Sequence, residues 1–176
     1  MKSTARIAGH PVHPMLIPYP FALLSTAAAF DVIDKARHRP RAGVERADHV
    51  FGRTAGHLLD AGLLSAVVAA VPGIVDYFGS VPRGTQAARH ATWHAAFNSS
   101  ALAAFVLARA EREADGATTD RGLGLSLLGT LLLGAGGWLG GELVYHHHIG
   151  VDDQSPTAQL EPGQRERRLP ARTANM

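Results

Sequence analysis

The sequence predicts an all-α protein, an integral membrane four-helix bundle built from two helical hairpins. Only five of the 32 charged side chains in the 176-residue chain fall within four apolar segments, at residues 15–33, 58–78, 92–109 and 123–145. Helices of this composition have no polar stripe to present to water, and a chain of this length cannot bury them all in a soluble core. Because about 20 apolar helical residues span the hydrocarbon core, the predicted surroundings are lipid.

The first two segments form the first predicted hairpin. The first contains Pro18, which suits a first helical turn, and Pro20, which we expect to kink the helix. Asp31 and Asp34 are expected to mark its end. A secretory signal peptide is the competing interpretation, but the prolines and the missing polar boundary favour a retained helix. The second includes fifteen consecutive residues without a charge, so it is the clearest predicted span.

The third and fourth segments form the second predicted hairpin. The third carries four polar side chains that we expect to face the bundle interior: His94, Asn98, Ser99 and Ser100. In the fourth, two glycine pairs have the small-xxx-small spacing that lets helices in lipid approach closely: Gly136 with Gly140, and Gly137 with Gly141. We therefore expect close helix contact along the fourth segment.

Residues 1–151 are predicted to form one transmembrane domain, and residues 152–176 a disordered polar tail rich in Gln, Pro and Arg. The first and third loops carry nine Lys and Arg near the membrane, against four on the opposite side. The positive-inside rule therefore predicts a multi-pass protein of the cell membrane with both termini extracytoplasmic. Loop arginines of this kind do not indicate a nucleic-acid partner. The absence of cysteine excludes disulfides and thiolate metal sites.

Histidines and carboxylates concentrate at the predicted extracytoplasmic ends of the four segments. The first and third segments each begin near two histidines, and the second and fourth each end with a carboxylate near a tyrosine. Two hairpins related by an axis along the membrane normal would bring these groups together, as parallel repeats do. The candidate metal ligands at this membrane face are His10, His13, His90, His94, Asp76 and Glu142.

These residue types suit a transition metal or a haem. Imidazole binds zinc, copper, iron and nickel and is an axial ligand of haem iron, and carboxylates complete metal sites or orient a ligating imidazole. His90 and His94 lie one turn apart on one helix face, so both can reach one metal ion. A haem b takes one imidazole from each of two facing helices, for which His13 and His94 are the candidates. The predicted cofactor is therefore haem b or a divalent transition-metal ion, in support of a redox partner.

Two other functions fit the same residues. In a structural or assembly subunit without a cofactor, the histidines cap helices in the headgroup zone, Asp76 pairs with Arg83, and Glu142 pairs with a neighbouring imidazole. In a small ion or proton transporter, Asp76, Glu142 and His94 form a relay. The sequence contains no nucleophile–base motif, phosphate loop or dinucleotide fingerprint, which disfavours an enzyme acting alone.

Four stretches of the sequence resemble a family of small bacterial membrane proteins classified as a domain of unknown function. They read GHPVHPMLIPYPFAL, AAVPGIVDYFG, HATWHAAFNSSAL and GGWLGGELVYHHHIGVD, and the resemblance covers residues 8–153. It implies four helices in a lipid bilayer. Because some members occur beside or fused to Rieske iron–sulfur proteins, it also implies a Rieske-type or other redox partner, and further copies of the chain are a second expected partner. The family's recurring polar residues fall on His10, His13, Asp76, His94 and Asn98.

Overall fold

The structure is a computed structural model that describes residues 2–38 and 48–151. In these ranges, a short antiparallel ribbon of β1 (Arg6–Ile7) and β2 (His10–Pro11) precedes five helices: α1 (Val12–Leu16), α2 (Pro18–Arg37), α3 (Val50–Ser80), α4 (Gln86–Ala110) and α5 (Asp120–Tyr145). The four long helices confirm the predicted all-α fold. The predicted tail, residues 152–176, lies outside the described residues.

The helices α1 and α2 form a nearly continuous helix at the start of the chain. The Ile17 N–H donates to the carbonyl of His13, and the Phe21 N–H donates to the carbonyl of Ile17. The break at Ile17 places Pro18 in the first turn of α2, where its missing N–H costs no hydrogen bond. This irregularity lies ahead of Pro20, the residue at which the sequence predicted a kink.

The helices pair as two antiparallel hairpins, as predicted. The most extensive contacts join α4 to α5 and α2 to α3, and α2 also contacts α5. Where the hairpins meet, the buried core combines leucine and phenylalanine with alanine: Leu24, Ala27, Ala55, Leu59, Ala101, Phe105 and Leu133. Alanine at these positions lets the backbones approach closely, as is usual for helices in lipid.

Glycines on α5 allow the helices of the second hairpin to approach closely. A Cβ atom at Gly129 would lie 2.9 Å from the ring of Phe105, and one at Gly136 would lie 2.6 Å from the amide nitrogen of Asn98. Neither space admits a methyl group without a shift of its neighbour. The expected close contact is therefore present for Gly136 and Gly140, which face α4. The second predicted pair does not make it, because a Cβ atom at Gly137 would meet only Phe21 of α2 at an ordinary 3.6 Å, and one at Gly141 only Tyr145 of the same helix.

The outer faces of the bundle are apolar. Large side chains on α3 and α5 remain exposed, including Leu64 at 68%, Leu131 at 73% and Trp138 at 74%. Such surfaces suit lipid better than water. Among the described residues, three helical stretches are long and apolar enough to cross a membrane: Val12–Arg37, Val50–Ser80 and Asp120–Tyr145. The crossing by α4, which is 25 residues long, and the side on which the termini lie remain predictions.

Candidate functional site

Polar side chains inside the bundle form two groups, one in each half of its length. We call the end where α1 begins and α3 finishes the histidine end, because it holds His13 and His94. The opposite end, where α2 finishes and α3 begins, is the aspartate end, because it holds Asp31 and Asp34. All six predicted ligands lie at the histidine end, whereas the aspartate end contains residues to which the sequence analysis assigned no site.

The rings of His13 and His94 face each other between the two hairpins. Their centroids are 6.3 Å apart and their planes are perpendicular. His13 belongs to α1 and His94 to α4, so each hairpin contributes one imidazole. Both residues are half-buried. The structure therefore brings together the two histidines that the sequence proposes as a pair of haem ligands.

Each ring of this pair is held by a backbone carbonyl of the partner helix in its own hairpin. The Nδ1 atom of His13 lies 2.8 Å from the carbonyl oxygen of Ala69 on α3, and the Nδ1 atom of His94 lies 2.8 Å from that of Gly136 on α5. Because a carbonyl only accepts, each Nδ1 carries the proton and each Nε2 keeps its lone pair. Histidines that ligate metals are usually oriented in this way.

A glycine four residues after each carbonyl makes room for the ring. A Cβ atom at Gly73 would lie 2.8 Å from Cε1 of His13, and one at Gly140 would lie 3.1 Å from Cε1 of His94. The two hairpins thus repeat one arrangement, in which a histidine donates to a helix carbonyl and packs on the glycine one turn later. This repetition agrees with the expected parallel relation of the hairpins.

The pair lies well inside the helices. Ala69 is 11 residues before the last residue of α3, and Gly136 is nine before the last residue of α5. At 1.5 Å per residue, the acceptor carbonyls are roughly 14–17 Å from the helix ends. The two imidazoles therefore lie deeper than the membrane face at which the sequence analysis places the site. The amide nitrogen of Asn98 lies 3.4 Å from Nε2 of His94, so the lone pair of this nitrogen accepts a hydrogen bond from the amide. Ser99 and Ser100, which were also expected to face the bundle interior, are exposed.

Asp76 holds the amino-terminal segment against α3. Its carboxylate accepts hydrogen bonds from the Ser3 hydroxyl at 2.9 Å, from the Thr4 N–H at 2.7 Å and from the Ala5 N–H at 3.0 Å. Pairing with Arg83 is the sequence-based expectation, whereas the partners seen here are the three donors of the amino terminus and the Ser80 hydroxyl at 3.3 Å. These bonds give Asp76 a structural role that needs no metal.

The remaining predicted ligands lie near the carboxyl end of α5 or in solvent. His10 is exposed. The Nδ1 atom of His90 lies 3.0 Å from Nε2 of His147, and the Glu142 carboxylate lies 3.6 Å from Nδ1 of His146, as expected for pairing with a neighbouring imidazole. His90 and Glu142 thus contact the histidine run that follows α5.

A buried ion pair at the aspartate end joins the two hairpins. Asp31 is fully buried, and its carboxylate accepts hydrogen bonds from one Arg112 nitrogen at 2.7 and 3.0 Å and from the Ser126 hydroxyl at 3.2 Å. A second nitrogen of Arg112 donates to the carbonyls of Gly52 and Gly116. The expectation that Asp31 simply marks the end of a helix is therefore incomplete, because the side chain is part of the core.

Asp34 and two histidines form a second cluster beside this ion pair. One carboxylate oxygen of Asp34 accepts from the Gly52 N–H at 3.0 Å, and the other accepts from Nδ1 of His49 at 2.6 Å. Nδ1 of His38 is 3.6 Å from the same carboxylate oxygen, and the rings of His38 and His49 stack with centroids 3.7 Å apart. Among the described residues, these three side chains form the group whose potential metal-ligand atoms all lie within 4.8 Å of one another.

Part of this cluster has a signal in the sequence. Asp34 and His38 are four residues apart, which places them on one face of a helix, and Asp31 is one of the five charged residues inside the apolar segments. An ionisable residue in such a segment is a functional candidate, so Asp31 carries the same signal in the sequence as Asp76 and Glu142 at the other end. The contact of His49 with Asp34 has no local signal in the sequence, because it depends on where the start of α3 lies relative to the end of α2.

The chain belongs to a family described as "Predicted membrane protein (DUF2231)", whose family model matches residues 9–153. The match covers most of the sequence and confirms the resemblance to a membrane family of unknown function. Neither a curated protein nor a solved structure matches the chain.

Proposed function

From its membership of this membrane-protein family, we propose that the chain binds a redox-active transition metal, as haem b iron or as a bare ion, through His13 and His94. The observation that carries the proposal is the facing pair of half-buried imidazoles, 6.3 Å apart, one from each hairpin. An imidazole pair of this kind is the ligand set of many haem and metal centres. The bound metal supplies one-electron transfer to a partner protein.

The chain itself orients the two ligands. The carbonyls of Ala69 and Gly136 hold the Nδ1 protons, and this hydrogen bond fixes each ring and increases the basicity of Nε2. The surrounding helices partly bury both residues, which lowers the local dielectric and so influences a reduction potential. Asn98 is close enough to His94 to restrict the rotation of that ring.

An open apolar depression lies on the outer surface next to the pair, and neither histidine is among the residues that line it. It measures about 470 Å³ and lies between the start of the first hairpin and α5, with Pro14, Phe21, Gly137 and Trp138 in its lining. Pro14 follows His13 directly, and Gly137 follows the carbonyl that holds His94. Haem is the first cofactor to test because its Soret band distinguishes it from a bare metal ion.

The partner and the orientation are part of the same proposal. The protein lies in the cell membrane with both termini extracytoplasmic, and its partner is a Rieske-type or other redox protein at that surface. Association with further copies of the chain also stays a prediction. The wider ligand set of His10, His90, Asp76 and Glu142 receives less support, because Asp76, His90 and Glu142 contact other groups and His10 is exposed.

The experiment is an absorption spectrum of the full chain, purified in mild detergent and recorded oxidised and reduced, together with a measurement of bound metals. We expect a Soret band that is lost in His13→Ala and in His94→Ala. The matched control is His57→Ala, an exposed histidine at the other end of α3, which should keep the band. His10→Ala should keep it too, since the geometry restricts the site to the facing pair.

The other outcomes separate the competing functions. Stoichiometric iron or copper without a Soret band, lost in the same two variants, supports a bare metal ion at the pair. No haem and no metal, with unchanged stability in both variants, contradicts the proposal and leaves an assembly subunit. A pH-dependent ion flux in vesicles, abolished in His94→Ala, favours a transporter.

A further inference from the structure

We propose that Asp76 is the positioning residue of His13, which it holds in place through the amino-terminal segment of the chain. The Asp76 carboxylate accepts a hydrogen bond from the Ala5 N–H at 3.0 Å. The Ala5 carbonyl in turn accepts from the Val12 N–H at 3.0 Å, and Val12 directly precedes His13. A single residue, Ala5, therefore connects the carboxylate on α3 to the start of the helix that carries the imidazole.

The helix that carries His13 has little support of its own at this end. Helix α1 has five residues, none of them buried, and no side-chain hydrogen bond caps its start at Pro11. A helix of about one turn gains little stability from its own hydrogen bonds, because the first turn fixes several backbone angles for one bond. By contrast, His94 lies within α4, a helix of 25 residues. Of the two facing imidazoles, His13 is therefore the one that depends on an anchor outside its helix.

The anchors of the amino-terminal segment lie on one face of α3, at intervals of three or four residues: Ala69, Gly73, Asp76 and Ser80. The first two hold and accommodate the His13 ring. The last two bind residues 3–5, since the Thr4 N–H lies 2.7 Å from the Asp76 carboxylate and 3.0 Å from the Ser80 hydroxyl. A displacement of residues 3–5 along this face would therefore also displace the ring from its carbonyl.

The Asp76 carboxylate suits this role because it binds two consecutive backbone amides. The N–H groups of Thr4 and Ala5 both donate to its Oδ1 atom, and the hydroxyl of the buried Ser3 lies 2.9 Å from both oxygens. Hydrogen bonds to an ionised acceptor are roughly twice as strong as neutral ones. A Cβ atom at Gly79 would lie 2.9 Å from that of Thr4, so the segment lies directly against the helix.

This arrangement gives Asp76 an influence on the metal ligand without contact to the metal. The hydrogen bond from Nδ1 of His13 to a carbonyl keeps the ring in one tautomer, with the lone pair on Nε2. Once residues 3–5 detach, the ring is free to leave the carbonyl, and both tautomers become populated. The inference rests on the proposed function in that a metal binds His13, but the orientation of the ring can be measured in the metal-free chain.

The first test is NMR of the full chain with ¹⁵N-labelled histidine, metal-free in detergent micelles. The shifts of the ring nitrogens report which nitrogen carries the proton, and His13→Ala and His94→Ala assign the two rings. We expect the Nδ1–H tautomer at both rings of the unsubstituted chain. In Asp76→Ala, the shifts of His13 should move toward the average of the two tautomers, whereas those of His94 should stay.

Three further variants sharpen this test. Asp76→Asn should restore much of the His13 signal, because the amide oxygen still accepts from the two backbone N–H groups. Gly79→Ala keeps the carboxylate but pushes the segment away, so it should act as Asp76→Ala does. The matched control is Asp60→Ala on the same helix, whose carboxylate pairs with Arg109 and should leave both rings unchanged. If Asp76→Ala does not fold, Gly79→Ala still decides the result, because Gly79 is exposed.

The second test is a titration of the haem-free chain with haemin, followed by the Soret band. Asp76→Ala should weaken haemin binding by roughly 10- to 100-fold, the usual cost of removing a group that orients a metal ligand. Asp76→Asn should recover part of this loss, and Asp60→Ala should bind as the unsubstituted chain does.

Two results overturn the inference. One is an unchanged His13 ring in both Asp76→Ala and Gly79→Ala. The other is an equal change at His13 and His94, which would indicate a general loosening of the bundle.

The proposed function can fail separately. If the chain binds neither haemin nor a metal while the tautomer of His13 depends on Asp76, the positioning role holds without the cofactor. If haemin binding requires His13 but Asp76→Ala changes neither the binding nor the ring nitrogens, the cofactor site holds and the positioning role is wrong.

Discussion

The histidine end and the aspartate end bury polar groups in opposite ways. At the histidine end, His13 and His94 are half-buried, and each ring uses one nitrogen on a carbonyl and keeps a lone pair on the other. At the aspartate end, the side chains of Asp31 and Arg112 are 0% and 4% exposed and neutralise each other. The ion pair of Asp31 and Arg112 has no net charge and stabilises the contact between helices. The Nε2 atoms of the two oriented imidazoles, by contrast, are the atoms through which a ligand would bind.

Asp34 is intermediate between these two arrangements. It lies one helical turn after Asp31 and is buried like it, yet the hydrogen bonds to its carboxylate come from the Gly52 N–H and from the His49 imidazole. The comparison therefore predicts which substitutions unfold the protein and which remove a ligand. Substitutions in the neutral pair should affect stability most, and those at exposed pairs least.

The largest effect is expected for Arg112→Met. It leaves the Asp31 carboxylate buried without its partner, and removing one member of a buried pair costs about 3–5 kcal/mol of the free energy of unfolding. The control is Arg109→Met, whose partner Asp60 is half-exposed. Surface pairs contribute within about 1 kcal/mol. Unfolding of both variants in mixed micelles measures the difference.

The double variant Asp31→Leu/Arg112→Met sharpens this prediction. It removes both charges and fills the space with apolar atoms, so it should recover much of the stability lost in the single variant. Equal losses in the single and double variants would show that packing of the arginine, and not its charge, stabilises this end.

An intermediate effect is expected where glycine makes room for the imidazoles. Gly73→Ala and Gly140→Ala place a methyl group 2.8 and 3.1 Å from the rings of His13 and His94. Overpacking of this kind costs about 1–3 kcal/mol and should displace the rings from their carbonyls. Gly134→Ala is the control, because nothing lies within 4 Å of its added Cβ. The measurements are unfolding in micelles and the NMR signals of the two imidazoles.

The smallest effect is expected at Asp48, on the exposed connection ahead of α3. Two hydrogen bonds from Arg53 lower the pKa of Asp48 below its ordinary value. Its contribution to stability is therefore complete above the ordinary aspartate pKa and is lost as the pH falls through the lowered pKa. The difference in Tm between the unsubstituted chain and Asp48→Asn should be small near neutral pH and should vanish in acid. A difference that grows in acid contradicts this account.

Much of the fold could be predicted because it depends on composition within segments. The charge-free run before Asp76 predicts a membrane-spanning helix, whatever the position of that helix in the bundle. The small-residue spacing around Gly136 predicts a closely packed neighbouring helix but not which helix it is. His13 and His94 could be proposed as partners because each begins one hairpin. The depth of the pair was not predictable, since it depends on which carbonyl of α3 or α5 each ring meets.

The aspartate end shows why other contacts escaped prediction. Asp31 and Arg112 are 81 residues apart, and Arg112 lies in a connection that reads as polar and of mixed sign. No periodicity relates the two residues. The grouping of His38 with His49 likewise depends on the return of the chain to Asp34 after the first loop.

The sequence by itself determined that the helices of this protein lie in lipid, and it determined the number and order of the long helices. The reason is that the free energy of transferring each segment into lipid depends on that segment alone. The tertiary structure decided which polar groups meet and how deeply they lie. Those choices depend on the rotation and relative height of packed helices, and a shift of one residue along a helix turns a side chain by about 100° toward a different neighbour.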